Sequence, residues 1–239
     1  ALTIDRRANS ESLFRVGLGW RFGSEAEQRE RVVDAAIARG FYVGAKLGYG
    51  AVGSDLDAIH NDGGAAGCTN CAFTGDFSNN GFTGGFFAGY GTTLNRVYLG
   101  LELEADASNA DWSNDRDSGG GGRDVSVSKK GSHGASVKLG YVLNSGALLY
   151  ARAGQVRTRF NTIYTKGNMN NWVDRDDTLT GNRLGLGAEV PAFRNVFVKM
   201  DYTVTDYDDY SFTTQHANAD TKNFDNKESL FSLGLGLRF

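Results

Sequence analysis

The sequence predicts an all-β chain: an eight-stranded antiparallel, transmembrane up-and-down β-barrel, with an extra N-terminal strand and a short helical linker before it. Three observations predict it. Segments of about 11–13 residues alternate a wholly apolar face with a small or polar one, the pattern of a wall between lipid and a polar lumen. Their connections alternate between tight turns and long polar stretches. No run approaches the roughly 18 apolar residues that a helical span requires.

Eight segments carry the alternation. They are 41–52, 81–92, 96–107, 131–143, 147–160, 180–190, 196–207 and 228–239. In the third, Val97, Leu99, Leu101, Leu103 and Ala105 alternate with Tyr98, Gly100, Glu102, Glu104 and Asp106. In the last, Phe231, Leu233, Leu235, Leu237 and Phe239 alternate with Ser232, Gly234, Gly236 and Arg238. Residues 93–95, 144–146 and 191–195 read as tight turns, with Pro191 at a position that tolerates a missing ladder donor. Stretches near 53–80, 108–130, 161–179 and 208–227 read as long loops rich in Gly, Asn, Asp and Ser. Short turns on one side and long loops on the other are the rhythm of a bacterial outer-membrane barrel with its long loops extracellular.

The chain holds its closing strand twice. Glu11 to Phe22 repeats Glu228 to Phe239, differing only at positions 15, 16 and 20. A strand cannot sit unpaired in lipid, because each backbone donor and acceptor there needs a partner. A ninth strand would also break the even count of single-chain bacterial barrels. Residues 1–22 are therefore expected to supply the closing strand (12–22) of another barrel, upstream or in a neighbouring subunit. Its outward set is Phe14, Val16, Leu18, Trp20 and Phe22. Residues 23–40 read as a periplasmic helical linker, with Ser24 and Glu27 as a capping box and Gly40 as the C-terminal stop. Residues 41–239 form the barrel.

Composition narrows the function classes. The 239 residues include 33 glycines, many at alternate positions, which disfavours a soluble α/β fold. Mean hydropathy is -0.37, as expected where half the wall faces water. A net charge of -3 gives no sign of a nucleic-acid partner. Ala1 opens no signal peptide, which reads as a mature, processed or fragmentary chain. Cys68 and Cys71 lie in a glycine-rich stretch and suit a small-loop disulfide; a redox or metal site lacks a second ligand pair.

The chain resembles the small OmpA-like eight-stranded outer-membrane barrels, and more narrowly the porin-like surface antigens of alphaproteobacteria. The resemblance rests on Phe41 to Tyr49, Gly100 to Glu104, Leu149 to Gly154, Lys199 to Tyr202 and the terminal Gly-Leu-Gly-Leu-Arg-Phe. It covers 41–239; residues 1–40 depart from it. It implies a non-enzymatic role in envelope integrity, surface display or assembly with other envelope components. Narrow porin activity is the alternative. It also implies that the terminal strand (Phe231, Leu233, Leu235, Leu237 and Phe239) is read by the barrel assembly machinery. Expected partners are that machinery, outer-membrane lipid and lipopolysaccharide, and another barrel through residues 11–22.

The inward faces carry Lys46, Lys138, Arg152, Arg183, Lys199 and Arg238 against Glu102, Glu104, Asp106, Glu189 and Asp201. An eight-stranded interior is just wide enough for side chains to fill. Such charges should pair, because a lone buried charge costs several kcal/mol. A salt-bridged plug is expected, against a selective ion path. A lipid A-modifying enzyme would need convergent histidines. His60 and His216 fall in loops and His133 near a strand's outer end, with no spacing that brings them together. The acidic groups Asp115, Asp117 and Asp124; Asp174, Asp176 and Asp177; and Asp206, Asp208 and Asp209 are solvated loop charge. Asp174, Asp176 and Asp177 are the one candidate Ca²⁺ site. No other cofactor is expected. Trp112, Trp172, Tyr207 and Tyr210 suit an outer aromatic girdle or an adhesive surface, with Tyr207 placed in the girdle.

Overall fold

The structure, a computed structural model, describes residues 38–61, 69–116, 123–166, 171–208, 210–213 and 221–239. Ten strands follow in chain order: β1 Gly40–Asn61, β2 Thr69–Leu94, β3 Val97–Ser108, β4 Asp111–Arg116, β5 Arg123–Val142, β6 Leu148–Lys166, β7 Asn171–Phe193, β8 Val196–Tyr207, β9 Tyr210–Thr213 and β10 Thr221–Arg238. Eight are staves of one antiparallel ring, in the order β1-β2-β3-β5-β6-β7-β8-β10, closed by β1 on β10. The short β4 carries on past β3 and pairs with β5, and β9 carries on past β8 and pairs with β10. β1 and β10 pair directly from Tyr42↔Arg238 to Ile59↔Thr221, so no further strand is inserted between them.

The registers fix the barrel's shear. A walk across the ladders from Tyr42 passes Gly89, Glu102, Ser136, Gly154, Arg183, Thr205 and Glu228, and returns to β1 at Val52. That is ten residues further along the same strand. Over eight staves, this displacement tilts the strands by roughly 40°. The interior of such a barrel is narrow, so what fills it decides whether anything passes.

The wall is inside-out relative to a soluble protein. β3 alternates exposed and buried along Val97–Ala107; its exposed set is Leu99, Leu101 and Leu103, and its buried set includes Glu102 and Glu104. Exposed leucines, valines and aromatics recur on every stave, from Leu47 (74% exposed) to Leu186 (68%). Phe41, Tyr90, Tyr141, Phe193 and Phe239 ring the tight-turn end, and Tyr49, Phe82 and Tyr202 lie towards the other. Phe41 packs against Tyr90 at 4.8 Å and Tyr49 against Phe82 at 5.0 Å, both ring pairs tilted. Phe41 and Tyr49 are eight residues apart on β1, which at this tilt spans roughly 20 Å of membrane thickness.

Several boundaries differ from the sequence reading. Much of the four expected loops is strand: β1 runs on to Asn61, β2 begins at Thr69, β6 runs to Lys166, β7 starts at Asn171 and β10 at Thr221. Beyond the bilayer both faces of a strand meet water, so pairing continues after the apolar alternation that signals it has ended. Gly40 opens β1 with φ 120°, a value that suits glycine. Pro191 sits inside β7 at an irregularity between Pro191 and Phe193, which accommodates its missing donor. The tight turns are Asn95-Arg96, Arg194-Asn195 and the segment 143–147; Asn95 (φ 58°) and Arg194 (φ 43°) take the left-handed conformation. The extra strand 12–22, the helix expected before Ala38, and Cys68 lie outside the described residues. Cys71 lies on β2, its side chain also outside them.

Candidate functional site

The eleven charged side chains expected in the lumen all point inward and form one ion-paired network. Glu102, in the middle of β3, is its hub. Its Oε2 accepts from Lys138 Nζ at 2.5 Å and from the Tyr42 hydroxyl at 3.1 Å. Its Oε1 accepts from Lys199 Nζ at 2.6 Å and lies 3.3 Å from Arg152 Nη1. Two residues along β3, Glu104 takes Lys46 at 2.7 Å, Arg183 at 2.7 Å and Arg152 at 3.1 Å. Asp106 receives Lys46 at 3.1 Å. The 2.0-residue period of a strand is what stacks three carboxylates along one inner face.

The cations come from around the ring, from the neighbouring β5 (Lys138) to the opposite β8 (Lys199). Arg152 on β6 bridges Glu102, Glu104 and Asp201, and donates to Ser136 Oγ at 2.6 Å. Lys199 on β8 joins Glu102 to Asp201, 3.0 Å away. Towards the tight turns, Glu189 accepts from Lys138 at 3.0 Å and Arg238 at 2.6 Å. Aromatic faces shield these cations: Lys199 lies 4.2 Å from the Phe87 ring centre, Lys138 lies 4.5 Å from that of Tyr150, and Arg238 lies 4.7 Å from that of Phe197. Cation–π contact of this kind is strongest where water is excluded.

The network reaches further up the barrel than the sequence indicates. Arg183 also contacts Glu228 at 3.4 Å, and Glu228 accepts from Tyr207 at 2.8 Å and pairs with Lys129. Glu228 shares the parity of Arg238, so extending the terminal alternation inward past Leu230 identifies it. Lys129 has the wrong parity for β5. It turns inward because the register shifts between Lys129 and Ser132, which no hydrophobic pattern reveals. Tyr207, expected in the outer girdle, is buried inside at 3% exposure and bonded to Thr158 and Glu228. Its parity matches Lys199, Asp201 and Thr203, so the inward position follows from β8 running unbroken to Tyr207.

Apolar clusters pack against the network. Towards the long strand ends, Val127, Val156, Phe160 and Tyr207 pack together, with Phe160 and Tyr207 edge to face at 5.5 Å. At the tight-turn end lie Tyr98, Val142, Leu148 and Tyr150, while the trio Tyr42, Phe87 and Phe197 packs among the charges, with Phe87 directly across the β2–β3 ladder from Glu104. The lumen is thus a packed column in which charged and apolar side chains interleave.

Among the described residues the remaining candidates do not converge. His133 is exposed on the outer wall; the side chain of His60 and all of His216 lie outside the described residues. Asp176 and Asp177 are neighbours on β7 and so face opposite sides; Asp176 accepts from Asn161 at 3.1 Å and Asp177 pairs with Arg175 at 3.0 Å. The Asp174 side chain lies outside the described residues, and among those described no cluster could hold a metal ion. The side chains of Trp112, Trp172, Tyr210, Asp115 and Asp124 lie outside the described residues, as do Asp117 and Asp209 altogether; Asp206 and Asp208 are exposed.

Comparison with known proteins adds two findings. The family model described as the outer membrane protein beta-barrel domain matches residues 31–239. No curated protein matches the sequence. Among solved structures, the chain is similar to the attachment invasion locus protein Ail of Yersinia pestis, at 14% identity and TM-score 0.40, covering 84% of this chain and 99% of that one. It is also similar to Neisserial surface protein A, at 17% identity and TM-score 0.42, covering 84% and 99%. A third is the outer membrane protease OmpT of Escherichia coli, at 8% identity and TM-score 0.47, covering 84% and 97%.

Proposed function

Since the chain belongs to the outer membrane protein beta-barrel domain family, we propose that it is a non-enzymatic, structural barrel of the outer membrane whose lumen is sealed. Its role is to support envelope integrity and to display its long strand ends outside the cell, with the tight turns in the periplasm. The observation that carries this reading is the hub at Glu102, where Lys138, Lys199 and Arg152 converge on one carboxylate at 0% side-chain exposure. Solvated ions would have to break several such contacts to pass, each partner left alone costing several kcal/mol.

A narrow channel is the second reading. It draws on two buried lumen atoms without a hydrogen-bond partner, Asp106 Oδ1 and Arg152 Nε, which suit ordered water. The terminal strand fits recognition by the barrel assembly machinery: Phe239 is 73% exposed, and its backbone N–H donates to the Phe41 carbonyl at 2.8 Å. The repeat at 11–22 supports pairing with a second barrel in a larger assembly.

Deletion of the gene from its host tests the structural reading. The expected phenotype is sensitivity to detergent and to large antibiotics, with uptake of small solutes unchanged. Loss of small-solute uptake with an intact barrier would replace it with the channel.

A further inference from the structure

The aromatic belt nearest the long strand ends does not go all the way round. Following a constant height means subtracting the tilt, ten residues over eight staves, from each step across the ladders. The height of Tyr49 is then shared by Phe82 on β2 and, about one residue lower, by Phe231 on β10, while β8 carries Val204 there and Tyr202 lies below it. On β5, β6 and β7 it is occupied by His133, Gln155 and Asn182. Below this level the same wall is apolar, with Ala135 and Val137 on β5, Ala153 on β6 and Leu184 on β7. Immediately above it stand Arg157 and Arg159 on β6 and Lys130 on β5, all exposed.

These groups crowd one another. His133 is directly opposite Arg157 across the β5–β6 ladder. Arg157 and Arg159 are next-but-one on β6, and so share the outer face at about 7 Å. Directly opposite them on β7 are Thr180 and Thr178, which bring no charge. Among the described residues none forms an ion pair or a side-chain hydrogen bond with Lys130, His133, Arg157 or Arg159. Like charges side by side on a sheet are destabilising. At the membrane boundary, a phosphate above an acyl layer offsets that repulsion and accepts bidentate bonds from guanidinium.

We propose that the outer wall at Lys130, His133, Arg157 and Arg159 is a docking site for the phosphorylated headgroup of an outer-leaflet lipid. The acyl chains lie over Ala135, Val137, Ala153 and Leu184. The choice of leaflet rests on the orientation proposed above; the binding itself does not.

The test uses the purified full chain in a zwitterionic detergent, with bound lipid read by native mass spectrometry. The probes are bis-phosphorylated lipid A, its dephosphorylated form and phosphatidylcholine, with inorganic phosphate as competitor. The wild type should retain the phosphorylated probe through detergent washing, against millimolar inorganic phosphate. The Arg157→Gln/Arg159→Gln variant should hold it about tenfold more weakly or worse. Arg157→Lys/Arg159→Lys should fall between, and Arg96→Gln/Arg194→Gln at the tight-turn end should bind as the wild type does. Gel migration before and after heating establishes that each variant is folded. Equal retention of the dephosphorylated probe, undiminished retention by the Gln variant, or displacement by inorganic phosphate would each overturn the proposal. None of these outcomes bears on whether the lumen is sealed, so the two readings fail separately.

Discussion

Lys138 and Glu102 meet diagonally across the β3–β5 ladder, with Nζ 2.5 Å from Oε2 and neither side chain exposed to solvent. Burying two charges is expensive, and removing one partner is worse than never having had the pair. Glu102→Gln leaves Lys138, Lys199 and Arg152 short of their shared acceptor. It should lower unfolding stability in lipid vesicles by about 3–5 kcal/mol. The double variant Glu102→Gln/Lys138→Met should lose less than the sum of the two singles. Urea titration followed by tryptophan fluorescence checks this; strict additivity would mean that the two residues do not act together.

Phe197 lies directly across the β8–β10 ladder from Gly236, and a methyl group at Gly236 would enter its ring. The glycine leaves space for the aromatic to fold flat against the inner wall, under Arg238. Gly236→Val should therefore destabilise the barrel by about 1–3 kcal/mol through overpacking. Gly236→Val/Phe197→Ala should recover part of that loss, because the obstructing ring is gone. Thermal unfolding in vesicles reads both.

How much of this was legible in the sequence depends on which solvent each face meets. Where one face meets lipid and the other the lumen, alternation is forced, and β3, β8 and the end of β10 could be read residue by residue. Eleven of the charges now found in the lumen followed from that parity alone. Above the membrane the constraint lapses, so strands such as β2 from Thr69 and β7 from Asn171 looked like loops. Lys129 was hidden for a different reason: a one-register slip next to Ser132 reverses its face, and slips leave no mark on composition. Tyr207 closes the segment 196–207 with the inward parity of Lys199, Asp201 and Thr203, and it is this parity that places it inside rather than in the girdle.

Leu103 is 64% exposed at mid-height on β3, on the lipid side of the wall that carries Glu102 and Glu104 inside. Leu103→Arg should cost about 2–4 kcal/mol, as a cation on the lipid face near the midplane does. Ser78→Arg, exposed on β2 beyond the girdle, should be neutral. A vesicle unfolding titration showing equal effects at the two positions would mean that the membrane band has been drawn at the wrong height.

Thirteen interlocked charges packed among apolar side chains close the lumen, and single-channel recording decides whether they do. The purified full chain, refolded and inserted into a planar bilayer, should give no steady conductance. The variant Glu102→Gln/Glu104→Gln, with the hub carboxylates neutralised and the cations left to repel one another, should open intermittently. A large, constant conductance from the unaltered chain would contradict the sealed barrel and make the narrow pore its function.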